Sequence, residues 1–190
     1  MMKTQFLLRQ LRSCATAAIA IVQLGLLPSA HAQTQAPEPD LKAAIISNML
    51  LFVEWPTGAS TSAPGDQLVV CYQEPSPVAE ALRRLDGKSV KGKLLKVMQV
   101  AQVVGGNAGG CHAFYLAPGN GANLASVLAA LSRQPILVAA DSPEYSKQGV
   151  MLNLDLVGGR VVFDIDLHSA QKAGLQISSK ALRLARQVIE

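Results

Sequence analysis

The chain has 190 residues, of which 49% are hydrophobic, 16% are charged and 4% are aromatic. This composition excludes intrinsic disorder, which requires low hydrophobicity and high net charge, and the length suits a single domain. The formal net charge of +4 would favour an acidic partner, but most of the excess lies within the first twelve residues.

Residues 1–32 have the pattern of a secretory signal peptide. An uncharged stretch at 14–27 is shorter than the roughly 20 residues that span a bilayer, so a retained anchor is disfavoured. Ala30-His31-Ala32 matches the small-x-small site of signal peptidase, which predicts cleavage before Gln33 and export to the periplasm. The basic residues that precede the uncharged stretch are Lys3, Arg9 and Arg12.

The first predicted element of the domain is a helix. Residues 33–39 are polar and contain two prolines, so we expect a flexible lead before a domain of residues 40–190. Asp40 is a suitable N-cap, and Pro56 would end the helix after Trp55. Because nearly all faces of this helix are apolar, either the domain or a second chain must bury it.

Strands and helices then alternate through the middle of the chain. The alternation predicts an α/β domain, in which a mixed and mostly parallel sheet is flanked by helices. The predicted elements are a buried strand at 68–72, a helix opened by Ser76 and Pro77 that ends near Gly87, a strand at 90–100 with an edge or bend at Gly92, a strand at 112–116, a helix at 123–131 and a strand at 136–139.

A β-hairpin is predicted in the last third of the chain. Residues 151–156 and 161–167 flank Gly158-Gly159, a dipeptide favoured in two-residue hairpin turns. The expected pairs are Leu156 with Val161, Leu154 with Phe163 and Leu152 with Ile165 on one face, and Asn153 with Asp164 and Met151 with Asp166 on the other.

Two helices are predicted after the hairpin, near 169–174 and from 178 or 179 to 188. In the second one the apolar stripe would consist of Ala181, Leu184, Ala185 and Val188.

Removal of the signal peptide also changes the charge. Residues 33–190 have a net charge of +1, which argues against a nucleic-acid partner. A basic cluster is expected to be a solvated face, with a docking surface for an acidic partner as the alternative. Its members are Arg83, Arg84, Lys88, Lys91, Lys93 and Lys96.

The cysteine count favours one disulfide. Cys14 would leave with the signal peptide, so that only Cys71 and Cys111 stay in the exported protein. In an oxidising compartment such a pair is more often bonded than free, although two buried thiols that never meet are the alternative. The bond would close a loop of about 40 residues and contribute roughly 4 kcal/mol on the chain-entropy model.

The residues that could support catalysis are few. After processing only His112 and His168 are available, neither in a two-histidine metal spacing, and Asp164-x-Asp166 is a weak metal signal. Cys111 and His112 would point to opposite faces of a strand, so they would not act as nucleophile and base. The glycine-rich segment 105–110 lacks the lysine and hydroxyl residue of a phosphate loop. We therefore expect no catalytic residue, metal or cofactor, and favour a binding or regulatory module over an exported enzyme.

Seven segments, in order along almost the whole exported chain, resemble the YfiR family of periplasmic proteins. They are Lys42-Ala43-Ala44, the Phe-Val-Glu-Trp-Pro of residues 52–56, Leu68-Val69-Val70-Cys71, Gly87-Lys88-Ser89-Val90, Cys111-His112, Ile136-Leu137-Val138 and residues 174–185.

The resemblance implies a small α/β regulator that dimerises. In the best-understood members it binds the periplasmic sensor domain of the inner-membrane diguanylate cyclase YfiN and holds it inactive. Release, through the lipoprotein YfiB or oxidative misfolding, raises cyclic di-GMP and favours biofilm. Cys71 and Cys111 match a disulfide pair of the family, whereas the second pair that some relatives carry at the equivalent of 141–153 is missing here.

Another class of function is compatible with the same residues. Because α/β sheets often bind ligands at their strand ends, the protein could sense a small periplasmic ligand and report to another membrane receptor, such as a sensor histidine kinase.

Overall fold

An eight-stranded mixed sheet forms the centre of the computed structural model, which describes residues 36–56, 66–101, 103, 108, 110–119, 121–145 and 147–190. The helices are α1 (Glu38–Met49), α2 (Pro77–Arg83), α3 (Gly121–Leu131), α4 (Leu167–Lys172) and α5 (Ser179–Leu182). The strands are β1 (Val53–Glu54), β2 (Gln67–Tyr72), β3 (Ser89–Val90), β4 (Lys93–Gln99), β5 (Ala113–Leu116), β6 (Leu137–Ala140), β7 (Leu152–Val157), β8 (Arg160–Asp166), β9 (Gln176–Ile177) and β10 (Gln187–Ile189).

The strand order confirms the predicted α/β class. Across the sheet the order is β10-β8-β7-β6-β5-β2-β4-β3, and the five strands from β7 to β4 are parallel to one another. β3 is antiparallel to β4, β8 is antiparallel to β7, and β10 is parallel to β8. β1 and β9 form a separate antiparallel pair. Every residue of β5 and β6 is buried, as expected for parallel strands covered on both faces.

The β7–β8 hairpin has the predicted register. Leu156 pairs with Val161, Leu154 with Phe163, Leu152 with Ile165 and Asn153 with Asp164. The turn glycines, 158 and 159, have φ of +57° and +76°, which an Asn-Gly-like type I′ turn requires. At the other end, Asp166 N–H donates a 3.0 Å hydrogen bond to Met151 O.

The predicted start of helix α2 is confirmed. Ser76 is its N-cap and Pro77 its first residue, and Ser76 Oγ accepts a hydrogen bond from Ala79 N–H.

The first helix differs from the prediction at both ends. It begins at Glu38, with Pro37 and not Asp40 as its N-cap. Pro39 fits the first turn because the first N–H groups of a helix have no partner within it. The last two residues of the predicted lead are therefore helical. After a 3₁₀ turn the chain enters β1, so Trp55 lies beyond the helix. The domain itself buries one face of the helix, which consists of Lys42, Ala43, Ile46, Ser47 and Met49.

The single strand predicted at 90–100 is a short hairpin. Lys91 and Gly92 both have positive φ and reverse the chain between β3 and β4. Gly92 was expected to mark an edge or a bend, and a turn at the edge of the sheet satisfies both descriptions.

The prediction of a long C-terminal helix is wrong. α5 ends at Leu182, Leu184 is 69% exposed, and the chain continues as β10 against β8. Arg186 explains the change, since its N–H donates to Phe163 O and its guanidinium binds the carboxylates of Asp164 and Asp155. α4 likewise begins earlier than predicted, at Leu167, because Asp166 caps it.

Candidate functional site

The structure contains a disulfide between Cys71 and Cys111. Cys71 lies within β2 and Cys111 just before β5, with their Cα atoms 5.8 Å apart and both side chains fully buried. The bond therefore joins two neighbouring strands and encloses the α2, β3 and β4 segment between them.

His112 is held beside the disulfide in a fixed orientation. Val69 N–H donates to its Nδ1 at 3.0 Å, and the ring meets Trp55 edge to face with 5.2 Å between centroids. Burial lowers the pKa of His112, and the positive charge of Lys93 lowers it further. Because Nδ1 of His112 is occupied by Val69 N–H and the sulfur of Cys111 is bonded to Cys71, the two residues do not form a nucleophile and base.

The parallel strands have a point where the connections reverse direction. From β2 the chain moves outward to β4, and it then returns across β2 to place β5 on the other side. In open α/β sheets, ligands bind outside the carboxyl ends of the strands at such a switch point. Ser76, Tyr115 and Asp141 all lie at this edge.

At this switch point, the space outside the carboxyl ends of the strands is a crevice that hydrogen-bonded side chains of the protein close. Tyr115 O–H donates a 2.7 Å hydrogen bond to Asp141 Oδ1. Ser76 Oγ lies 3.2 Å from the Tyr115 oxygen. Because the Tyr115 hydroxyl donates its proton to the hydrogen bond with Asp141, the Ser76 hydroxyl is the donor in this second hydrogen bond. Burial, followed by the charge of Asp141, raises the pKa of Tyr115 well above its usual range.

Lys42 completes the network from α1. Its Nζ lies 3.2 Å from Asp141 Oδ2 and 2.6 Å from Glu38 Oε1, and the Lys42 and Asp141 side chains are only 8% and 7% exposed. Burial acts to lower the pKa of Lys42, but its hydrogen bond with Glu38 and the charge of Asp141 together raise it. The site therefore contains a paired ionic cluster that ties α1 to the sheet, in which the side chains of Lys42 and Asp141 are buried and that of Glu38 is 38% exposed.

Sequence reasoning did not predict that Lys42, Asp141, Tyr115 and Ser76 come together, although it named Ser76 as a helix start and Lys42 within a segment of the family resemblance. Lys42 and Asp141 are 99 positions apart, so their pairing leaves no local pattern. One feature of the sequence could have identified Asp141 as a site residue. It directly follows a buried strand, at the end of a parallel sheet where functional side chains are concentrated.

The residues considered for catalysis do not converge. Asp166 caps α4 through Ser169 N–H and Oγ, Asp164 binds Arg186, and His168 is exposed. Across the described residues no group of three or more histidine, cysteine or acidic side chains is placed to hold a metal ion. Most of the glycine-rich segment 105–110 lies outside the described residues.

The basic cluster is largely ion-paired on the surface. Arg83 pairs with Glu80, Arg84 with Asp40, and Lys96 with Asp86 at 3.6 Å. Lys91 lies over the Phe52 ring at 5.2 Å from its centroid. These contacts favour the expected solvated face over a dedicated anion site.

A protein-family model described as YfiR/HmsC-like matches residues 39–186. The chain belongs to the YfiR/HmsC-like family. The match covers both cysteines, the closed crevice and the β7–β8 hairpin, and it is to a family of regulators and not of enzymes. Among the described residues, no helix has the length and apolarity needed to cross a membrane.

Two solved structures are similar to the chain at low sequence identity. A crystal structure of a conserved domain protein from Vibrio cholerae superimposes with a TM-score of 0.53 and 13% identity, over 80% of this chain and 60% of that one. The ABC domain from Streptococcus pneumonia, in complex with L-Trp, gives a TM-score of 0.49 and 10% identity, over 80% of this chain and 62% of that one. The YfiR/HmsC-like chain thus spans about 60% of the length of these structures. No curated protein matches it.

Proposed function

We propose that this protein is a periplasmic repressor that binds the periplasmic sensor domain of a YfiN-like inner-membrane diguanylate cyclase and holds the enzyme inactive. Repression would lower cyclic di-GMP and limit biofilm formation. The observation that carries the proposal is the YfiR/HmsC-like match over residues 39–186.

The site geometry supports action by binding. The crevice that an α/β enzyme would use for a substrate is closed by Lys42, Asp141, Tyr115 and Ser76, each bound to another side chain of the set. Contact with a partner must then use the outer surface. Exposed apolar side chains that can contribute to such a contact, with a partner or with a second copy in a homodimer, are Leu94, Leu156, Val157 and Leu184.

The signal-like residues 1–32 and the disulfide support a periplasmic location, since such bonds persist in oxidising compartments. In this setting a YfiB-like outer-membrane lipoprotein would relieve repression by taking the protein away from the cyclase.

Deletion of the gene tests the proposal. The deletion strain should contain more cyclic di-GMP and attach more strongly to surfaces, and the full-length gene should reverse both effects. A version that lacks residues 2–32 serves as the matched control and should not complement. Unchanged cyclic di-GMP in the deletion strain contradicts repression of a cyclase.

An open cavity beside Trp55 and His112 favours a second candidate, a ligand-sensing protein that reports to a different membrane receptor such as a sensor histidine kinase. The two candidates differ in the membrane protein that co-purifies with the chain after crosslinking, which is a cyclase in the first case and a kinase in the second.

A further inference from the structure

The turn end of the β7–β8 hairpin has exposed apolar side chains. Leu156 and Val157, just before the glycine turn, are 44% and 49% exposed, and Leu184 is 69% exposed. β8 begins at this turn and β10 runs parallel to β8, so the residues that lead into β10 lie at the same end of the sheet. We refer to residues 156–160 and 183–184 together as the hairpin end.

The exposed charges of the hairpin end are positive. Arg160 and Arg183 are exposed, and neither has an ion-pair partner among the described residues. The neighbouring sequence adds no acid to this surface, because residues 156–163 and 167–189 contain neither Asp nor Glu. Lys180, on α5, is a further exposed cation of the same segment.

The acidic residues next to the hairpin end do not cancel these cations. Asp164 and Asp166 are buried, and Asp166 is occupied as the N-cap of α4. Asp155 binds Arg186, which also binds Asp164. The surface of the hairpin end therefore combines positive charge with exposed hydrocarbon.

The two apolar side chains before the turn point in opposite directions. Leu156 and Val157 are consecutive residues of β7, and successive side chains of a strand lie on opposite faces. A protein that packed on one face of the hairpin would cover only one of them. A medium that surrounds the turn covers both, and the outer part of a lipid bilayer is such a medium, because its headgroups lie directly above apolar chains.

We propose that the hairpin end docks on an anionic phospholipid bilayer. The three exposed apolar side chains would enter the boundary between headgroups and acyl chains. Arg160 and Arg183 would contact anionic headgroups, whose negative surface potential attracts cations. The inference goes beyond repression and does not depend on which membrane protein the chain binds.

Sedimentation with lipid vesicles tests the proposal. Protein expressed from the full-length gene and purified after export is mixed with vesicles of phosphatidylglycerol and phosphatidylcholine in equal parts, or with vesicles of phosphatidylcholine alone. It should bind the anionic vesicles at least about tenfold more strongly than the neutral ones, because each arginine near an anionic surface contributes roughly fivefold in affinity. The difference should decrease as the salt concentration rises.

Two pairs of matched variants identify the surface. Leu156 and Leu94 are 44% and 42% exposed and lie toward opposite edges of the sheet. Leu156→Ser should weaken binding about three- to tenfold, whereas Leu94→Ser should not change it. Arg160→Gln should weaken binding to the anionic vesicles about fivefold, and Arg83→Gln, which removes the same charge from the basic cluster, should have little effect. If Leu156→Ser does not fold, Val157→Ser at the turn takes its place.

Absence of binding to the anionic vesicles at low salt overturns the proposal and leaves the hairpin end as a contact for a protein. Equal losses in Arg160→Gln and Arg83→Gln also overturn it, because they would show attraction by the net charge of the whole protein. Binding that neither Leu156→Ser nor Val157→Ser weakens would exclude entry of the turn into the bilayer.

Discussion

The hydroxyl of Tyr115 donates to the carboxylate of Asp141 at the carboxyl edge of the parallel sheet, across a distance of 2.7 Å. This bond joins the ends of β5 and β6 and lies under α1, whose Lys42 binds the second oxygen of the same carboxylate. Other α/β proteins leave this crevice open for a ligand, whereas here the side chains that fill it contribute to the stability of the fold.

Tyr115→Phe should lower the free energy of unfolding by about 1 to 3 kcal/mol, because it leaves a buried carboxylate oxygen without its donor. Ser76→Ala should cost about 1 kcal/mol through the lost N-cap of α2. Urea denaturation of both single variants and the double variant measures their coupling. Strictly additive effects would contradict a continuous network from Ser76 through Tyr115 to Asp141.

Stability should fall as the pH decreases below about 6.5. The pKa of His112 is lowered in the folded protein by burial and then by Lys93, so below its ordinary value of 6.5 the unfolded chain binds a proton that the native state refuses. His112→Asn keeps an acceptor for Val69 N–H. It should reduce the loss of unfolding free energy between pH 7 and pH 5 by about 1 kcal/mol. Thermal unfolding at several pH values measures this, and the exposed His168→Asn variant should retain the dependence of the parent.

Removal of the disulfide by Cys71→Ala together with Cys111→Ala should lower stability by about 2 to 5 kcal/mol. Reduction of the parent protein should have a similar effect and should have none on the double variant. Thiol labelling of the unreduced, denatured protein, after export, should detect no free cysteine. Two labelled thiols would show that the bond does not form in the cell.

Arg186→Met should release β10 from the sheet. The guanidinium binds Asp164 in a paired geometry and also binds Asp155, whose pKa it lowers through the hydrogen bond. Hydrogen exchange should become faster at 187–189 and stay slow in β5 and β6. Arg183→Met, on the same segment, is the matched control, and equal exchange at β10 in all three proteins would contradict the assigned role.

Local signals account for what the sequence predicted well. The glycine pair and the period-two pattern together define the β7–β8 register, since a shift by one residue would turn Leu154 toward the wrong face. The helix start at Ser76-Pro77 and the cysteine pair could also be predicted, because each of these patterns is compatible with few other structures.

The features that the sequence did not predict depend on contacts between residues far apart in the chain. The residues at 181–188 have helical apolar spacing, and the contacts that favour β10 over a longer helix are with distant residues of β7 and β8. They are the bonds of Arg186 with Phe163, Asp164 and Asp155. The Trp55 and His112 cavity also has no local signature, because its residues come from the 3₁₀ turn after α1, from β1 and the residue after it, and from the starts of three other strands.

The disulfide makes a covalent ring of the chain from 71 to 111, with the edge hairpin β3–β4 inside it. A ring of this kind keeps its two ends joined when the part inside it opens. Opening of the β3–β4 edge would therefore remain a local event, because the disulfide still connects β2 with the start of β5.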